Sequence, residues 1–375
     1  MITGSGSAQT SRPAPPAAEG RRTAGLTGAW GATTPFRPVL ILVVALLIAL
    51  SIWLPHSFPT ATNLQNLLTA VAVLWIISMG MTFALLSGGV DLSVSANGAL
   101  SGYFMAKILG VGVPAGLAIV LAVAFGAVIG VACNGFLIGK LKLSFFVVTL
   151  ASMTALTGVV NLWSHTLSIF VTSNVIGYMA VGHFLGIAVP IWIMAAVFVV
   201  AYYTQRWTYF GRDIYAVGGS LTAARLSGIR TTRTIIAVYG VTGGTAAFAG
   251  VILVGSIGSA SPTVDGTLPL LAVAAVLLGG TALTGGSGSV VGTALGVLFI
   301  GVLQNGLSIG GVSGFWQDVV TGIILVAAVL GAGRTRRPLL RALRRPEADP
   351  APQAAPPAGA EPRTEKTMPM GKEGR

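Results

Sequence analysis

One acidic residue, Asp91, stands between two apolar runs of this sequence, in the segment GGVDLS over residues 88–93. If those runs cross a bilayer, an aspartate near bilayer depth costs up to about 2.5 to 3.5 kcal/mol, so it needs a polar partner or a water-filled cavity. One interpretation makes Asp91 or Ser93 an N-terminal cap, whose side chain accepts backbone N–H groups of the following helix. The other makes this broken element part of a permeation path or its inner gate, and the sequence leaves both open.

Neutral amide side chains in the apolar runs raise the same question, because an amide that faces lipid without a partner is costly. Hydrogen bonding between helices and the lining of a solute path would each account for them. The amides concerned are Asn97, Asn134, Asn161, Gln304 and Asn305. The candidate path or gate residues are Asp91, Ser93, Asn97, Gln304 and Asn305.

The sequence contains no pattern that predicts catalysis or a metal site. Its three His and one Cys lack the spacing of metal ligands. The nearest match to a phosphate-binding loop, GFLIGKL over residues 135–141, has a spacer one residue too short and a Leu where Ser or Thr would hold magnesium. The glycine cluster at 285–288 follows an apolar run instead of a strand, which indicates a short turn. We therefore expect no catalytic residue, metal or cofactor on this chain, and any ATP that drives solute movement must be hydrolysed by another protein.

The composition is that of a polytopic membrane protein. Apolar residues make up 54% of the chain and charged residues 9%, whereas roughly 25% of the residues in a soluble domain are charged. Apolar runs of about 20 residues predict membrane-spanning helices. Candidate spans cover residues 38–54, 67–87, 92–109, 114–137, 144–163, 187–205, 234–255, 268–284, 289–308 and 316–332. Asp91 and Gly98 interrupt the third of these runs, and Pro269 interrupts the eighth.

The basic residues predict the orientation of the chain. All of the 22 Lys and Arg residues except Lys107 fall in segments that ten crossings place on one side of the membrane. Because Lys and Arg are retained on the cytoplasmic side during insertion, both termini and the basic loop 206–233 are expected in the cytoplasm. We therefore predict a multi-pass protein of the cell (inner) membrane, with residues 164–187 and 257–267 facing outward.

Both ends of the chain are predicted to be disordered cytoplasmic tails. Residues 1–35 are rich in Ser, Gly, Pro and Thr, and the basic segment 334–375 is rich in Pro and Ala, so neither has enough large apolar groups to offset the entropy of ordering. The membrane domain is predicted over residues 36–333, with its many glycines at close helix contacts. The single cysteine, Cys133, excludes an intramolecular disulfide.

The order of the spans indicates an internal repeat. Five spans precede residue 187 and five follow it, and each of spans two to five begins on the opposite face from its counterpart in spans seven to ten. Val90-Asp91 and Val264-Asp265 then occupy comparable places after spans two and seven. The predicted fold class is an all-α membrane protein with about ten transmembrane helices in two inverted five-helix halves.

Five motifs follow one another in a fixed order along the chain. They are GGVDLSVSANGAL (88–100), GRDIYAVGGSLTAARLSGI (211–229), LGGTALTGG (278–286), VLQNG (302–306) and Phe315-Trp316-Gln317. The first is similar to the Gly-Gly-Ile-Asp-Leu-Ser-Val signature of the ribose-type family of ABC importer permeases, and the others fit later motifs of that family. The resemblance runs through roughly residues 36–332.

The resemblance implies a transmembrane subunit that is not an enzyme and that pairs with a second permease subunit, as a homodimer or a heterodimer. A cytoplasmic ABC ATPase, which binds the ATP and Mg, would drive it, and nucleic acid has no part in it. An extracytoplasmic binding protein would deliver a monosaccharide resembling ribose, xylose or galactose, or a related small polar solute. A secondary transporter of a small polar solute is the main alternative, although ion coupling normally needs buried ionisable groups and Asp91 is the one good candidate. A membrane-embedded transferase and a purely structural membrane scaffold also stay open.

The resemblance also implies that the segment 211–229 is the loop that docks on the ATPase. A short helix over residues 222–226 is expected there, ended by Gly228. The residues expected at the contact are Arg212, Ala223, Ala224, Arg225, Leu226 and Gly228. The arginines serve equally well as positive-inside anchors. Leu221 and Thr222 stand where acidic residues are common in the family, so the polarity of the contact differs from the family's usual pattern. Residues 265–270 lack the family's usual Glu-Leu pair.

Overall fold

The structure is a computed structural model that describes residues 37–334. Helices account for most of these residues, and the four strands are two residues long each. The predicted tails, 1–35 and 334–375, lie outside the described residues apart from Arg334, so those two assignments stay predictions.

The elements follow the apolar runs of the sequence. The helices are α1 Arg37–Trp53, α2 Ala61–Ala70, α3 Ala72–Leu86, α4 Val94–Gly110, α5 Ala115–Ile129, α6 Phe136–Gly139, α7 Phe145–Ser164, α8 Asn174–Val181, α9 Val189–Trp207, α10 Tyr209–Gly219, α11 Leu221–Leu226, α12 Thr231–Ile257, α13 Leu268–Leu278, α14 Val290–Ile309 and α15 Gly314–Arg334. The strands are β1 Ile169–Phe170, β2 His183–Phe184, β3 Ile187–Ala188 and β4 Ser259–Ala260. A π-helix, Gly130–Gly135, links α5 to α6.

Each predicted span falls on helical structure, with differences at its ends. The helix α4 begins at Val94, just after the interruption at Asp91. The second predicted span is a bent pair, since α2 and α3 meet at 48°. The helix α13 ends at Leu278, earlier than predicted, because the glycines that follow it form a turn. By length and composition, five of the described helices can cross a membrane, or six when the bent pair counts as one span.

The long helix α12 lies at the centre of the fold and packs against α3, α4 and α5. A Cβ added at Gly98 would lie 2.8 Å from the Ala246 carbonyl oxygen, and one added at Gly126 would lie 2.8 Å from that of Gly243. A methyl group does not fit at these distances, so the helix axes approach this closely because the residues are glycines. The expectation that glycines serve close helix contacts is confirmed at these positions.

The two ends of the helical bundle are distinguished by their connections. At one end the turns after α3, α10 and α13 meet, and we name it the junction end. At the other end β1 pairs with β4 and β2 pairs with β3, both antiparallel, and we name it the strand end. The helix α12 follows α11 at the junction end and leads into β4 at the strand end.

Candidate functional site

Asp91 lies in the break between α3 and α4, where the chain turns inside the bundle. Gly88 has a φ of 84°, in the left-handed region that favours glycine, and it directs the chain out of α3. The side chains of Asp91 and Ser93 are each 1% exposed. Neither residue therefore faces an open cavity.

Four hydrogen bonds satisfy the Asp91 carboxylate. Its Oδ1 accepts from the Ser93 N–H at 3.0 Å, from the Ser93 hydroxyl at 2.6 Å and from Nδ2 of Asn134 at 3.1 Å. Its Oδ2 accepts from the Thr242 hydroxyl at 2.6 Å. These four residues, which we name the Asp91 cluster, join the α3–α4 break to the π-helix and to α12.

The Asp91 cluster lies between α3 and α4, at the junction of two predicted spans, and it contacts α12 well inside that helix. Thr242 follows the first residue of α12 by eleven positions, which corresponds to about 16 Å along the helix axis. The cap interpretation is not met at α4: the Ser93 side chain accepts no backbone N–H of the helix, and the one backbone bond to Asp91 comes from the Ser93 N–H, ahead of the first helical residue, Val94. The other three come from side chains, and two of those side chains belong to other segments of the chain.

Asn97 extends the polar contacts along α4. Its Nδ2 donates to the Gly126 carbonyl oxygen at 3.0 Å, and its Oδ1 accepts from the Ser101 hydroxyl at 3.2 Å. Because Asn97 is 2% exposed, it is as closed to solvent as Asp91 and Ser93. Asp91, Ser93 and Asn97 therefore lie in one buried region, and the Asn97 amide joins α4 to α5.

The remaining two path candidates, Gln304 and Asn305, lie elsewhere, near the end of α14. Asn305 and Asn63 of α2 exchange two hydrogen bonds of 3.0 Å, each amide donating to the other's Oδ1. This pair belongs to the strand end, since Gln65 of α2 donates to the Gly186 carbonyl oxygen in the β2–β3 turn at 3.1 Å. The five path or gate candidates therefore do not form one site.

The short helix expected in the basic loop is present as α11, Leu221–Leu226. Ser220 caps its start, because its Oγ accepts from the Ala223 N–H at 3.3 Å. Gly228 has a φ of 81°, and the N–H groups of this glycine and of the next residue donate back to the last turn at 3.0 Å. The expectation that Gly228 ends the helix is confirmed.

The two alanines of α11 face different surroundings. Ala224 is 3% exposed and packs inside the chain, whereas Ala223 is exposed. Leu226, two residues further on, is 86% exposed. Ala223 and Leu226 are therefore open to a partner protein, and Ala224 is not.

The two arginines expected at the ATPase contact hold local positions at the junction end. The Arg212 guanidinium lies 4.3 Å from the centre of the Tyr209 ring, a cation–π contact. The Arg225 Nε donates to the Thr231 hydroxyl at 3.2 Å and so ties α11 to the start of α12. Both side chains are exposed, which suits a protein contact and a positive-inside anchor alike.

Close backbone contacts join three turns at the junction end. A Cβ added at Gly285 would lie 2.7 Å from the Gly88 nitrogen, and one added at Gly286 would lie 2.7 Å from Cα of Gly219. The Gly286 N–H also donates to the Leu86 carbonyl oxygen at 2.9 Å. We name this contact the glycine junction, and it consists of Gly88, Gly218, Gly219, Gly285 and Gly286. It places the end of α10 directly against the end of α3 and the α13–α14 turn.

Two residues that the sequence did not single out, Gln205 and Tyr215, add side-chain bonds to this region. Gln205 donates through Nε2 to the Tyr215 hydroxyl at 2.6 Å, and its Oε1 accepts from the Val290 N–H at 3.0 Å. The Tyr215 hydroxyl donates to the Gly288 carbonyl oxygen at 2.6 Å. Burial raises the pKa of Tyr215 above the ordinary value of tyrosine, so its hydroxyl keeps its proton for this bond. The position of Gln205, an amide at the end of an apolar run and next to Arg206, is the sequence signal that could have identified it.

The described part of the chain offers little to a metal or a nucleotide. Within residues 37–334, no group of three or more His, Cys, Asp or Glu residues is arranged to hold a metal ion. The glycines of the phosphate-loop-like segment pack against α12. A Cβ added at Gly135 would lie 3.0 Å from Cα of Ile236, and one added at Gly139 would lie 3.1 Å from the Thr232 carbonyl oxygen.

Comparison with known proteins shows that the sequence is similar to transport permeases. A family profile described as "Branched-chain amino acid transport system / permease component" matches residues 63–329. The ribose import permease protein RbsC of Escherichia coli (strain K12) is 40% identical over 294 residues, which cover 77% of this chain and 91% of that relative. The ribose import permease protein RbsC of Bacillus subtilis (strain 168) is 44% identical over 298 residues, which cover 79% of this chain and 91% of that relative.

A third relative carries a different sugar in its name. The L-arabinose ABC transporter permease protein AraH of Azospirillum brasilense is 34% identical over 295 residues, which cover 78% of this chain and 86% of that relative. No solved structure matches the chain. The motifs that carry the resemblance all lie within or close to the matched residues.

Proposed function

We propose a function for this chain, which belongs to the branched-chain amino acid transport system / permease component family. The chain is a permease subunit of a sugar ABC importer, and the solute we propose is a monosaccharide such as ribose or arabinose, or a related small polar solute. The observation that carries the proposal is the 40% and 44% identity to two ribose import permeases, over 91% of each.

The energy comes, in this proposal, from a separate cytoplasmic ATPase that binds the ATP and Mg, so the chain itself is not an enzyme. The contact is proposed at α11, whose exposed Ala223 and Leu226 lie at the junction end. Arg212 and Arg225 flank it and set a positive potential there. Because Leu221 and Thr222 bring no charge to this surface, the contact is expected to be apolar at its centre.

The proposed topology has ten crossings in two inverted halves, with both termini in the cytoplasm. The connections support it, because successive turns alternate between the strand end and the junction end along the chain. The distribution of Lys and Arg supports the assignment of the junction end to the cytoplasm. The turns at Asp91 and Asp265 support the inverted repeat, since each precedes a helix and each aspartate accepts from the N–H group two residues ahead.

The other proposed partners are a second permease subunit and an extracytoplasmic binding protein. Asp91, Ser93 and Asn97 are closed inside this chain. We therefore place the solute path at the contact with the second subunit and assign the Asp91 cluster to holding the α3–α4 break beside it. The binding protein is expected to deliver the solute at the strand end, where the side chain of Phe170 is 85% exposed.

Reconstituted transport tests the function. The chain is co-expressed with its ATPase and binding protein, and uptake of labelled ribose and arabinose into proteoliposomes is measured with and without ATP. ATP-dependent uptake that needs both partners is expected, and an ATPase variant unable to hydrolyse ATP is the control. Uptake that occurs without ATP and is abolished by an ionophore would show instead that the protein is a secondary transporter.

Alanine variants test the ATPase contact. Ala223→Glu is expected to abolish uptake and to reduce co-purification of the ATPase, because it places a large charge on the proposed contact, while the amount of protein in the membrane persists. Ala61→Glu, which changes an exposed alanine in the first turn of α2 at the opposite end, is the matched control for co-purification of the ATPase, which it is expected to leave at the wild-type level. Normal ATP-driven uptake by Ala223→Glu would show that α11 is not part of the ATPase contact.

Cysteine labelling tests the topology in a Cys133→Ala background. Ser220→Cys is expected to resist a membrane-impermeant reagent added outside sealed cells, whereas Thr263→Cys is expected to react. Labelling of residue 220 from outside would overturn the proposed orientation.

A further inference from the structure

Side-chain hydrogen bonds between residues far apart in the sequence join α10 to the start of α14. Tyr215 lies in α10, Gln205 in the last turn of α9, and Gly288 and Val290 where the α13–α14 turn enters α14. The Tyr215 hydroxyl accepts from Gln205 and donates to the Gly288 carbonyl oxygen, at 2.6 Å in both cases. Gln205 also accepts from the Val290 N–H at 3.0 Å. One phenol and one amide therefore join three helices.

Two hydrogen bonds brace the α13–α14 turn from within, from the Ala282 N–H to the Ser287 carbonyl oxygen at 2.9 Å and from the Gly285 N–H to the Ala282 carbonyl oxygen at 3.0 Å, and neither includes Gly288 or Val290, where the chain enters α14. Four glycines of this turn have positive φ angles, between 74° and 147°. They are Gly280, Gly285, Gly286 and Gly288. Glycine adopts positive φ angles without steric cost. The backbone of these four residues therefore restrains the turn little when a neighbouring helix moves. The bonds from Tyr215 and Gln205 hold this turn at the point where it becomes a helix.

The glycine junction acts on the same turn from the other side. Gly218 and Gly219, at the end of α10, contact Gly286 backbone to backbone, and Gly286 donates to the Leu86 carbonyl oxygen at 2.9 Å. The contacts of Gly218 and Gly219 with Gly286 resist compression, because backbone atoms already lie close together, but they resist separation weakly, and the Gly286 hydrogen bond joins the turn to α3 and not to α10. The hydrogen bonds of Tyr215 and Gln205 resist separation, so the two sets of contacts together hold α10 against the start of α14 in both directions.

We propose that Tyr215 and Gln205 are a positioning pair that transmits movement of α10 and α11 to α14 during transport. The inference rests on the proposed function, since it takes α11 to be where the ATPase acts. The helix α14 carries Gln304 and Asn305 towards the strand end, so the pair connects the ATPase contact to the opposite end of the bundle through one continuous helix. Neither residue touches the solute.

The test separates coupling from folding by measuring the number of solute molecules moved per ATP hydrolysed. Tyr215→Phe removes the hydroxyl and keeps the ring. In proteoliposomes that hold the full assembly, this variant is expected to hydrolyse ATP normally and to move about fivefold less solute per ATP, the factor that corresponds to one ordinary net hydrogen bond. Tyr203→Phe is the matched control, since Tyr203 is 60% exposed on α9 near the same end, and its ratio is expected to stay at the wild-type value.

Two results would overturn the proposal. A wild-type ratio for Tyr215→Phe would show that the bond transmits nothing, and a proportional loss of hydrolysis and uptake would show that the pair serves only assembly. If Tyr215→Phe does not accumulate, Gln205→Glu decides the same question. Its carboxylate still accepts from the Val290 N–H but draws the phenol proton away from Gly288, so it too is expected to lower the ratio, and an unchanged ratio would refute the link. Absence of ATP-driven uptake in the unaltered assembly would instead overturn the proposed function.

Discussion

Two turns of the same sequence pattern, one before α4 and one before α13, have opposite surroundings. In the first, Asp91 Oδ1 accepts from the N–H and the hydroxyl of Ser93 at 3.0 and 2.6 Å. In the second, Asp265 Oδ1 accepts from the N–H and the hydroxyl of Thr267 at 2.8 and 2.7 Å. Asp91 is 1% exposed, whereas Asp265 is exposed.

The difference separates what local sequence decides from what the fold decides. An aspartate two residues before Ser or Thr forms this turn in both places, because its carboxylate reaches the backbone N–H two residues ahead. Only the buried copy has further partners, Asn134 and Thr242. Water satisfies the second oxygen of an exposed carboxylate, and inside the bundle side chains must do so. The local sequence therefore specifies the turn, whereas the hydrogen bonds that anchor it depend on the tertiary structure.

The largest effect is expected from Asp91→Leu. Leucine fills similar space but accepts no hydrogen bond, so the donors from Ser93, Asn134 and Thr242 lose their acceptor in a dry interior. We expect the free energy of unfolding to fall by about 3 to 5 kcal/mol. The thermal midpoint of the purified protein measures this. Wild-type stability together with wild-type uptake would show that Asp91 neither anchors the break nor takes part in transport.

A smaller effect is expected from Thr242→Val, which removes one donor and keeps the shape of the side chain. The Oδ2 of Asp91 then has no protein partner, and the expected loss is about 1 to 3 kcal/mol in the free energy of unfolding. Thr232→Val, the same change in the first turn of α12 at a half-buried position, is the control. Equal losses in the two variants would contradict the role assigned to the Thr242 hydroxyl.

A still smaller effect is expected from Asp91→Asn. The asparagine oxygen replaces Oδ1, and its amide faces the Thr242 hydroxyl, which accepts that proton while donating to the Tyr239 carbonyl oxygen at 3.0 Å. We expect a loss of at most about 1 kcal/mol and most of the transport to remain. Uptake and thermal midpoint are measured together. A strong loss of uptake at unchanged stability would mean that the charge itself serves gating.

The smallest effect is expected from Asp265→Leu, which makes the same change in the exposed turn. Water takes over the donors that lose their acceptor, so the free energy of unfolding should change by less than about 0.5 kcal/mol. The thermal midpoint compared with that of Asp91→Leu gives the contrast directly. A loss as large as that of Asp91→Leu would show that exposure does not explain the difference between the two turns.

Much of the fold could be read from the sequence, because apolar runs and their interruptions mark helices directly. The start of α4 after Asp91 and the end of α11 at Gly228 were predicted to within a few residues. The bend between α2 and α3 was not predicted, since no proline or glycine marks it. The π-helix Gly130–Gly135 was missed as well, since it packs against α12 and the sequence alone does not show this tertiary contact.

The candidate site was predicted less completely than the fold. Asp91, Ser93 and Asn97 stood out as polar residues in apolar runs, and they lie together in the structure. Their partner Thr242 carried no signal, since a threonine in a membrane helix usually bonds its own backbone. The separation of Gln304 and Asn305 from the others also depends on tertiary structure, because spacing along the chain does not show which end of the bundle a residue occupies.

The pairing of β1 with β4 has a consequence for how the chain can move. Ile169 lies opposite Ala260 and Phe170 opposite Ser259, so the segment after α7 is fastened to the far end of α12. The same helix is packed along its length against α3, α4 and α5, so it is not free to turn about this end alone. We expect β1 and β4 to be displaced together with the far end of α12 during transport, so that a spectroscopic label in the α7–α8 connection reports the movement of the central helix.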